Sequence, residues 1–259
     1  MKTLIMAPAV CELGWALCTY IPHVRYRIKK EGFEKVVCCV PKGEEYLVQD
    51  FATDYRFYKK PDRADRWLIK NGKPIKMPMK VVEEFPGSVW IRPEERTCMN
   101  KHREYIKYGR KMDGIGYDVV IHARNCKKYG QHTRNYDPRH FAYIVRKLGV
   151  KACCVGTQAD YIEGTEDKRN AGIEMISDIM ASSKVVIGPS SGPMHLASLC
   201  GTPHVVFSGN SKERAIKCTN KERYTNLWNP FNTPCTVLDS DDWHPHPDKV
   251  IKVVKGYLC

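Results

Sequence analysis

The stretch Val186-Ile-Gly-Pro-Ser-Ser-Gly-Pro-Met-His-Leu-Ala-Ser-Leu-Cys-Gly-Thr-Pro203 joins an apolar run to a segment of small residues. The run at 184–187 is typical of a buried strand. Pro193 to Cys200 is typical of a helix that begins with proline, whose missing N–H costs nothing in the first turn. Between them, Ser190, Ser191 and Gly192 offer hydroxyl and backbone N–H groups at the positive end of the helix. We call residues 190–192 the serine loop, and this pattern favours binding of an anion, most often a phosphate.

The same alternation of strand and helix extends on both sides of the serine loop. In the second half, the pattern predicts strands at 117–124, 151–156, 184–188 and 203–209, separated by helices near 141–148, 173–180 and 193–200. In the first half, it predicts strands at 3–6, 35–40, 54–58 and 88–93, with one long helix near 13–28. Alternation at this spacing is typical of a doubly wound parallel sheet. The sequence therefore predicts an α/β protein built from two Rossmann-like halves.

These patterns also suggest how the chain divides into domains. We expect an N-terminal domain at 1–93, a linker at 94–116 and a C-terminal domain at 117–245. The closing segment, 246–259, has an amphipathic pattern with Pro247 near its start. We expect it to form a helix that packs back across a central cleft between the two domains. Ligands of such sheets bind at the carboxyl ends of the strands.

Composition limits the partners and the compartment. The chain has 42 Lys and Arg against 29 Asp and Glu, a net charge of +13, so its surface attracts polyanions. It contains no apolar run of about 18 residues, and we expect no transmembrane segment. Its 12 cysteines form no C-x-x-C motif, so a zinc ribbon or a thioredoxin-like site lacks support, and the pairs in VVCCV and KACCVG lie in apolar runs. Reduced, buried thiols indicate a cytoplasmic protein.

The sequence SSKVVIGPSSGPMHLASLCGTPHVVFSG resembles the C-terminal signature of the heptosyltransferase-like glycosyltransferases, family 9. That signature runs Asp or Ser, Ser or Thr, Gly-Pro-x-His-Leu-Ala, then Gly-x-Pro and a strand, and the resemblance covers about residues 117–209. It implies the GT-B fold, with two Rossmann-like domains facing a central cleft. It also implies a nucleotide-sugar donor bound mainly in the C-terminal domain and no metal or other cofactor for the chemistry.

The resemblance also assigns a general base. The family follows its first strand with a loop that carries a Gly-Asp pair, whose Asp takes a proton from the acceptor. This chain has Cys11-Glu12 at that place, so Glu12 becomes the candidate catalytic residue. The other interpretation of Glu12 is an N-cap for the helix that follows.

Donor binding is expected from the loops that follow the C-terminal strands. The serine loop, Arg124 and His195 are the candidates for the diphosphate, because an Arg fork suits phosphate oxygens and His195 can either donate to a phosphate or support the loop. The candidates for the nucleoside follow the next strand, and they are Gly156, Thr157, Gln158, Asp160 and Glu163. We expect no metal-binding residues.

These features predict a monomeric glycosyltransferase that moves a sugar from a nucleotide-sugar donor to an acceptor hydroxyl, with inversion. The acceptor is expected to be anionic, either a hydroxymethylated base in DNA or a lipid-linked saccharide at an anionic membrane. A base in DNA would have to be flipped out of the helix. The alternative is a non-catalytic nucleic-acid-binding protein on a degenerate glycosyltransferase fold.

Overall fold

The computed structural model of the protein describes residues 1–9, 12–58, 69–70, 73–74, 79–93, 102–126, 131–157, 159–209 and 219–259. The chain divides into two compact units, Met1–Ile106 and Lys107–Cys259. Each unit contains its own sheet of parallel strands. The predicted α/β class is therefore confirmed. The boundary between the units falls within the segment at 94–116 that was predicted to be a linker.

Unit 1, Met1–Ile106, is built around a four-stranded parallel sheet. Its strands are β1 (Thr3–Met6), β2 (Lys35–Pro41), β3 (Asp54–Tyr58) and β6 (Val89–Ile91), in the order β3-β2-β1-β6. A short antiparallel hairpin, β4 (Ile69–Lys70) and β5 (Lys73–Pro74), and helix α2 (Met79–Glu84) lie between β3 and β6 in the chain. The helical stretch after β1 has three parts, an α-helical turn at Leu13–Trp15, a π-helical turn at Ala16–Tyr20 and helix α1 (Ile21–Glu31).

Unit 2, Lys107–Cys259, contains a six-stranded parallel sheet in the order β12-β11-β10-β7-β8-β9. The strands are β7 (Val119–Ile121), β8 (Ala152–Val155), β9 (Glu166–Lys168), β10 (Val185–Pro189), β11 (His204–Gly209) and β12 (Cys235–Ser240). The longer helices among the described residues are α3 (Pro138–Leu148), α4 (Ile173–Ala181), α5 (Gly192–Cys200) and α6 (Pro247–Leu258), and an α-helical turn at Asn220–Glu222 leads into a π-helical turn at Arg223–Leu227. The predicted strands and helices of this half are present. Strands β9 and β12 were not predicted.

The central strands are buried on both faces, which explains their continuous apolar sequences. In β8, all four residues of Ala152–Val155 are buried, and in β2 only Lys35 is not. Parallel sheets covered by helices on both faces require this composition. The nine cysteines among the described residues are all free thiols, and Cys38, Cys39, Cys153 and Cys154 are buried within these two strands. Burial raises the pKa of Cys39 to about 11, so this thiol stays protonated.

The terminal helix α6 belongs to the core of unit 2. Its buried residues Val250 and Val254 lie in one apolar cluster with Phe141 and Ile144 of α3 and with residues of the central strands. The helix predicted for this segment is therefore present. The predicted packing of this helix across the cleft stays a prediction. Among the described residues, no helix combines the length and the apolar character that crossing a bilayer requires.

The first residues of unit 2 lie against helix α4 without forming a helix or strand of their own. Arg110 donates its backbone N–H to the Asp178 carboxylate at 2.7 Å and forms an ion pair with the same side chain at 3.0 Å. Gly109 has φ +77°, and a Cβ at this position would overlap the carbonyl oxygen of Ser177. Gly114 has a similar φ of +82°, but nothing lies within 4 Å of its Cβ position.

These two glycines allow the steric contact to be measured separately from backbone strain. Gly114→Ala is expected to lower the free energy of unfolding by about 1–2 kcal/mol, the cost of a left-handed conformation for a residue with a side chain. Gly109→Ala should lower it by about 1–3 kcal/mol more, because its methyl group also overpacks against α4. Urea denaturation of both variants measures the difference. Equal losses would show that segment 107–112 is not held closely against α4.

Candidate donor-phosphate site

Three loops of unit 2 follow neighbouring strands at the same edge of the sheet. Strand β7 lies between β8 and β10 in the sheet, and all three run parallel. The loops that begin at His122, Gly156 and Ser190 therefore leave the sheet side by side. Carboxyl ends of parallel strands are where such folds bind their ligands. The structure thus brings the predicted phosphate-binding and nucleoside-binding loops together at one edge.

His122 lies close to two glycines, Gly156 just after β8 and Gly188 within β10. A Cβ at Gly156 would lie 2.5 Å from its Nδ1, and a Cβ at Gly188 would lie 2.7 Å from its carbonyl oxygen. His122 is buried, and its Nδ1 lies 3.1 Å from the carbonyl oxygen of Val155. Burial is the main cause that lowers its pKa to about 4, and the nearby charge of Arg124 lowers the pKa further. The ring is therefore neutral at pH 7, and we assign its proton to Nδ1, which donates to Val155.

The loops after β7 and β8 are tied together by hydrogen bonds. Arg124 and Ala159 form an isolated antiparallel bridge. The backbone N–H of Asp160 donates to the carbonyl of Ala123 at 2.8 Å, and the Asn125 side-chain amide donates to the Asp160 carboxylate at 2.5 Å. Arg124 is half-buried and begins this connection. Asp160, predicted to bind ribose hydroxyls, thus has one carboxylate oxygen bonded inside the protein.

The other predicted nucleoside-binding residues differ in burial. Gly156 is buried at the end of β8, with φ +107°, a conformation that favours glycine. Thr157 and Glu163 are exposed. Gln158 lies outside the described residues. Contact of these four residues with a nucleoside stays a prediction.

The first residue of the serine loop is bonded inward, whereas the hydroxyl of the second has no partner among the described residues. The backbone N–H of Ser190 donates to the carbonyl of Phe207 at 3.0 Å, and its hydroxyl lies 3.2 Å from the Tyr224 hydroxyl. Ser191 occupies the N-cap position of α5, but its side chain forms no capping hydrogen bond. Its hydroxyl is buried and has no partner among the residues that the structure describes. The N–H groups of Ser191 and Gly192 likewise have none there, and Pro193 has no N–H.

His195 supports the serine loop from behind. It is buried, and its Nε2 lies 3.2 Å from the Tyr224 hydroxyl. The His195 and Tyr224 rings are stacked, with centroids 4.4 Å apart and planes 1° from parallel. The Trp228 indole packs against the same imidazole in an edge-to-face arrangement, with the two ring centroids 4.9 Å apart. Of the two roles predicted for His195, the geometry favours support of the loop.

Glu12, the predicted base, lies in unit 1 after the carboxyl end of β1. It is exposed and precedes the helical turn Leu13–Trp15, and its side chain forms no capping hydrogen bond. The π-helical turn that follows carries Tyr20, whose hydroxyl donates to one of two carbonyls, Ala7 at 2.7 Å and Ile91 at 2.8 Å. Tyr20 thus joins the ends of β1 and β6 beside the segment that leads to Glu12. The structure leaves the Glu12 carboxylate uncommitted to helix capping.

Sequence reasoning missed three residues that shape these sites. Tyr224, Asn125 and Tyr20 all hold loops through side-chain hydrogen bonds across the chain. None belongs to a recognisable motif. The segment 219–228 is mainly polar, with Tyr224, Leu227 and Trp228 as its large apolar or aromatic residues, so no apolar period marked it.

Two buried histidines make unit 2 sensitive to acid. Burial lowers the pKa of His204 to about 4, as it does for His122. Between pH 4 and about 6.5, the unfolded chain binds protons that the folded chain does not, so the free energy of unfolding falls as the pH falls. Each histidine should contribute about 3 kcal/mol to this loss. Urea denaturation at pH 7.0 and 4.5 is expected to show a smaller fall in the free energy of unfolding for His122→Gln and for His204→Gln than for the wild-type protein. An unchanged loss in both variants would contradict the neutral state of these rings.

Comparison with solved structures identifies the fold of the whole chain. The glycosyl transferase family 9 structure from Veillonella parvula has a TM-score of 0.61 at 12% identity, covering 99% of this chain and 97% of that one. The E. coli ADP-heptose lps heptosyltransferase II has a TM-score of 0.63 at 12% identity, covering 100% and 98%. The structure of E. coli heptosyltransferase WaaC with ADP has a TM-score of 0.54 at 11% identity, covering 99% of this chain and 100% of that one.

By sequence, no protein-family model matches the chain, and no curated protein matches it. The structural likeness is therefore far stronger than the sequence likeness. The chain has the GT-B fold of the family 9 glycosyltransferase structures.

Proposed function

We propose that the protein is a nucleotide-sugar glycosyltransferase that transfers a sugar to an acceptor hydroxyl with inversion. The observation that carries the proposal is the serine loop, where the Ser191 hydroxyl and the N–H groups of Ser191 and Gly192 have no partner among the described residues. Buried polar groups are rarely left unpaired, and N–H groups at a helix start suit phosphate oxygens. The GT-B fold supports a nucleotide-sugar as the source of that phosphate.

In this mechanism, the acceptor oxygen attacks the anomeric carbon of the donor sugar. The bond from that carbon to the diphosphate oxygen breaks, and the electron pair leaves with the nucleoside diphosphate. Glu12 accepts the proton of the acceptor hydroxyl, a step that general bases typically accelerate about 100- to 10,000-fold. The serine loop and Arg124 stabilise the charge that develops on the leaving diphosphate. One displacement inverts the anomeric configuration.

The distribution of charge supports an anionic acceptor. Between residues 59 and 80, the sequence has eight Lys and Arg against two Asp, whereas the rest of Met1–Ile106 has twelve basic and twelve acidic residues. The basic residues of α1 are largely neutralised, since Arg25 pairs with Asp50 and Lys29 pairs with Glu104 at 2.8 Å. A segment with this excess of basic residues attracts polyanions. We propose DNA with hydroxymethylated bases or a lipid-linked saccharide as the acceptor, acting in a reducing, cytoplasmic setting that suits the free thiols.

A donor screen tests the proposal directly. The protein is mixed with UDP-, GDP- and ADP-sugars, and release of the nucleoside diphosphate is measured alone, with hydroxymethylated DNA and with vesicles that carry a lipid-linked saccharide. Release that depends on one acceptor is the expected result. DNA binding without turnover of any sugar would instead favour a non-catalytic nucleic-acid-binding protein.

Variants of the phosphate site should weaken donor binding. Arg124→Ala removes a full charge, and loss of a charged hydrogen bond typically costs about 1.5–3 kcal/mol, or about 10- to 150-fold in affinity. Ser191→Ala removes one neutral hydroxyl and should cost less. Arg146→Ala is the matched control, since Arg146 is exposed on α3 and has no ion pair among the described residues. Calorimetric affinities that match wild type in both site variants would remove the phosphate-binding role.

The Glu12→Gln variant distinguishes a role of Glu12 as catalytic base from a role as helix cap. Glutamine keeps the shape but accepts no proton, so the single-turnover rate should fall by about 100-fold or more while donor affinity stays close to wild type. The melting temperature should hardly change, because the Glu12 side chain forms no capping hydrogen bond. Glu83→Gln, at an exposed position on α2, controls for the loss of one carboxylate in unit 1. A near-normal rate in Glu12→Gln would refute the base assignment.

A further inference from the structure

Tyr224 is a fully buried phenol that contacts two residues of the proposed phosphate site. Its hydroxyl lies 3.2 Å from the Ser190 hydroxyl and 3.2 Å from Nε2 of His195. It belongs to a π-helical turn, Arg223–Leu227, far along the chain from both partners. A tyrosine hydroxyl donates one hydrogen bond and accepts others, so one phenol can serve both neighbours. Tyr224 therefore supplies a hydrogen-bond partner to both Ser190 of the serine loop and His195 behind it.

The segment around Tyr224 is itself fixed to β11 and α5. Thr219 and Glu222 form a capping box at the start of this segment. The Asn220 side-chain amide donates to the Ser208 hydroxyl of β11 at 3.0 Å. Farther on, the Ser198 hydroxyl of α5 donates to the carbonyl of Trp228 at 3.2 Å. The Tyr224 ring is thus held at both ends of its segment, which gives its hydroxyl a defined position behind the loop.

This arrangement divides the groups of the serine loop into two sets. The Ser190 hydroxyl and the His195 imidazole are bonded to Tyr224, whereas the Ser191 hydroxyl and the N–H groups of Ser191 and Gly192 remain without partners among the described residues. Buried hydroxyls must be hydrogen-bonded to avoid a desolvation cost. If the Tyr224 hydroxyl were absent, Ser190 and His195 would compete for the groups that now remain for a ligand.

We infer that Tyr224 is a positioning residue for the phosphate site, which binds Ser190 and His195 so that the N–H groups of Ser191 and Gly192 stay available to a diphosphate. The inference rests on the proposed function and extends it to a residue outside the loop. Tyr224 touches no reacting atom. It acts by holding donors in place, which electrostatic stabilisation of a leaving group requires.

The test compares two tyrosines that each lose one buried hydroxyl. Tyr224→Phe keeps the ring stacked on His195 and removes only the oxygen. Tyr136→Phe is the matched control, because Tyr136 is buried in the same unit and its hydroxyl donates to the carbonyl of Pro245 at 2.8 Å, outside the phosphate site. The probe is inorganic pyrophosphate, titrated by calorimetry, since it addresses the phosphate site without a nucleoside. Melting temperatures are measured in parallel.

We expect both variants to lower the melting temperature comparably. Only Tyr224→Phe should weaken pyrophosphate binding, by about 10-fold or more, while Tyr136→Phe stays within about 2-fold of wild type. Ser190→Ala removes the other end of the contact and should also weaken binding, which provides a test if Tyr224→Phe does not fold. The double variant should lose no more than Tyr224→Phe alone, because the two residues act through one contact.

The outcomes separate this inference from the proposed function. Wild-type protein that binds pyrophosphate together with Tyr224→Phe that binds it equally well would overturn the inference alone. Additive losses in the double variant would overturn it too, since Tyr224 would then act independently of Ser190. Wild-type protein that binds neither pyrophosphate nor ADP, UDP or GDP would overturn the proposed function and the inference with it.

Discussion

His122 occupies the space that side chains at positions 156 and 188 would take, with its imidazole against Gly156 and its carbonyl oxygen and Cβ against Gly188. Because β7 lies between β8 and β10, the first residue after β7 lies against both neighbouring chain segments. The ring donates from Nδ1 to the Val155 carbonyl and leaves room only for glycine at 156, while the carbonyl oxygen of His122 leaves room only for glycine at 188. The loops after β7, β8 and β10 therefore leave the sheet as neighbours. Burial also keeps the imidazole neutral, so Arg124 supplies the formal positive charge of the loop after β7.

The sequence predicted the parts of the fold that depend on burial. Strands such as β8 and β10 are continuous apolar runs, and helix α5, with Pro193 in its first turn, follows from proline and small residues. Strand β9 has the sequence Glu-Asp-Lys at the edge of the sheet, and no apolar period marks it. The order of strands in the sheet is set by packing between distant segments. It could be expected only from the general behaviour of such folds.

The candidate site was predicted less completely, because its details depend on hydrogen bonds between segments far apart in sequence. The positions of Arg124 and the serine loop at strand ends follow from local pattern. That Asp160 is bonded to Asn125, or Ser190 to Tyr224, depends on which loops meet in space. No spacing of residues encodes those pairs. A residue whose type suits ligand binding, such as Ser190, can therefore use its side chain in a hydrogen bond inside the protein.

Both units use a buried tyrosine in a π-helical turn to hold a loop at the carboxyl edge of the sheet. Tyr20 bonds the carbonyls of Ala7 and Ile91, and Tyr224 bonds Ser190 and His195. A π-helical turn adds one residue to a helix and redirects the side chains that follow, and such turns are frequent at functional sites. Each phenol satisfies polar groups on the inner side of its loop. The groups proposed to act on substrates are different ones. They are the Glu12 carboxylate in unit 1, which makes no capping hydrogen bond, and the Ser191 and Gly192 N–H groups in unit 2, which have no partner among the described residues. Under the proposed function, Tyr224 would keep the N–H donors of the serine loop in position before charge develops on the leaving group, so that they need no reorganisation.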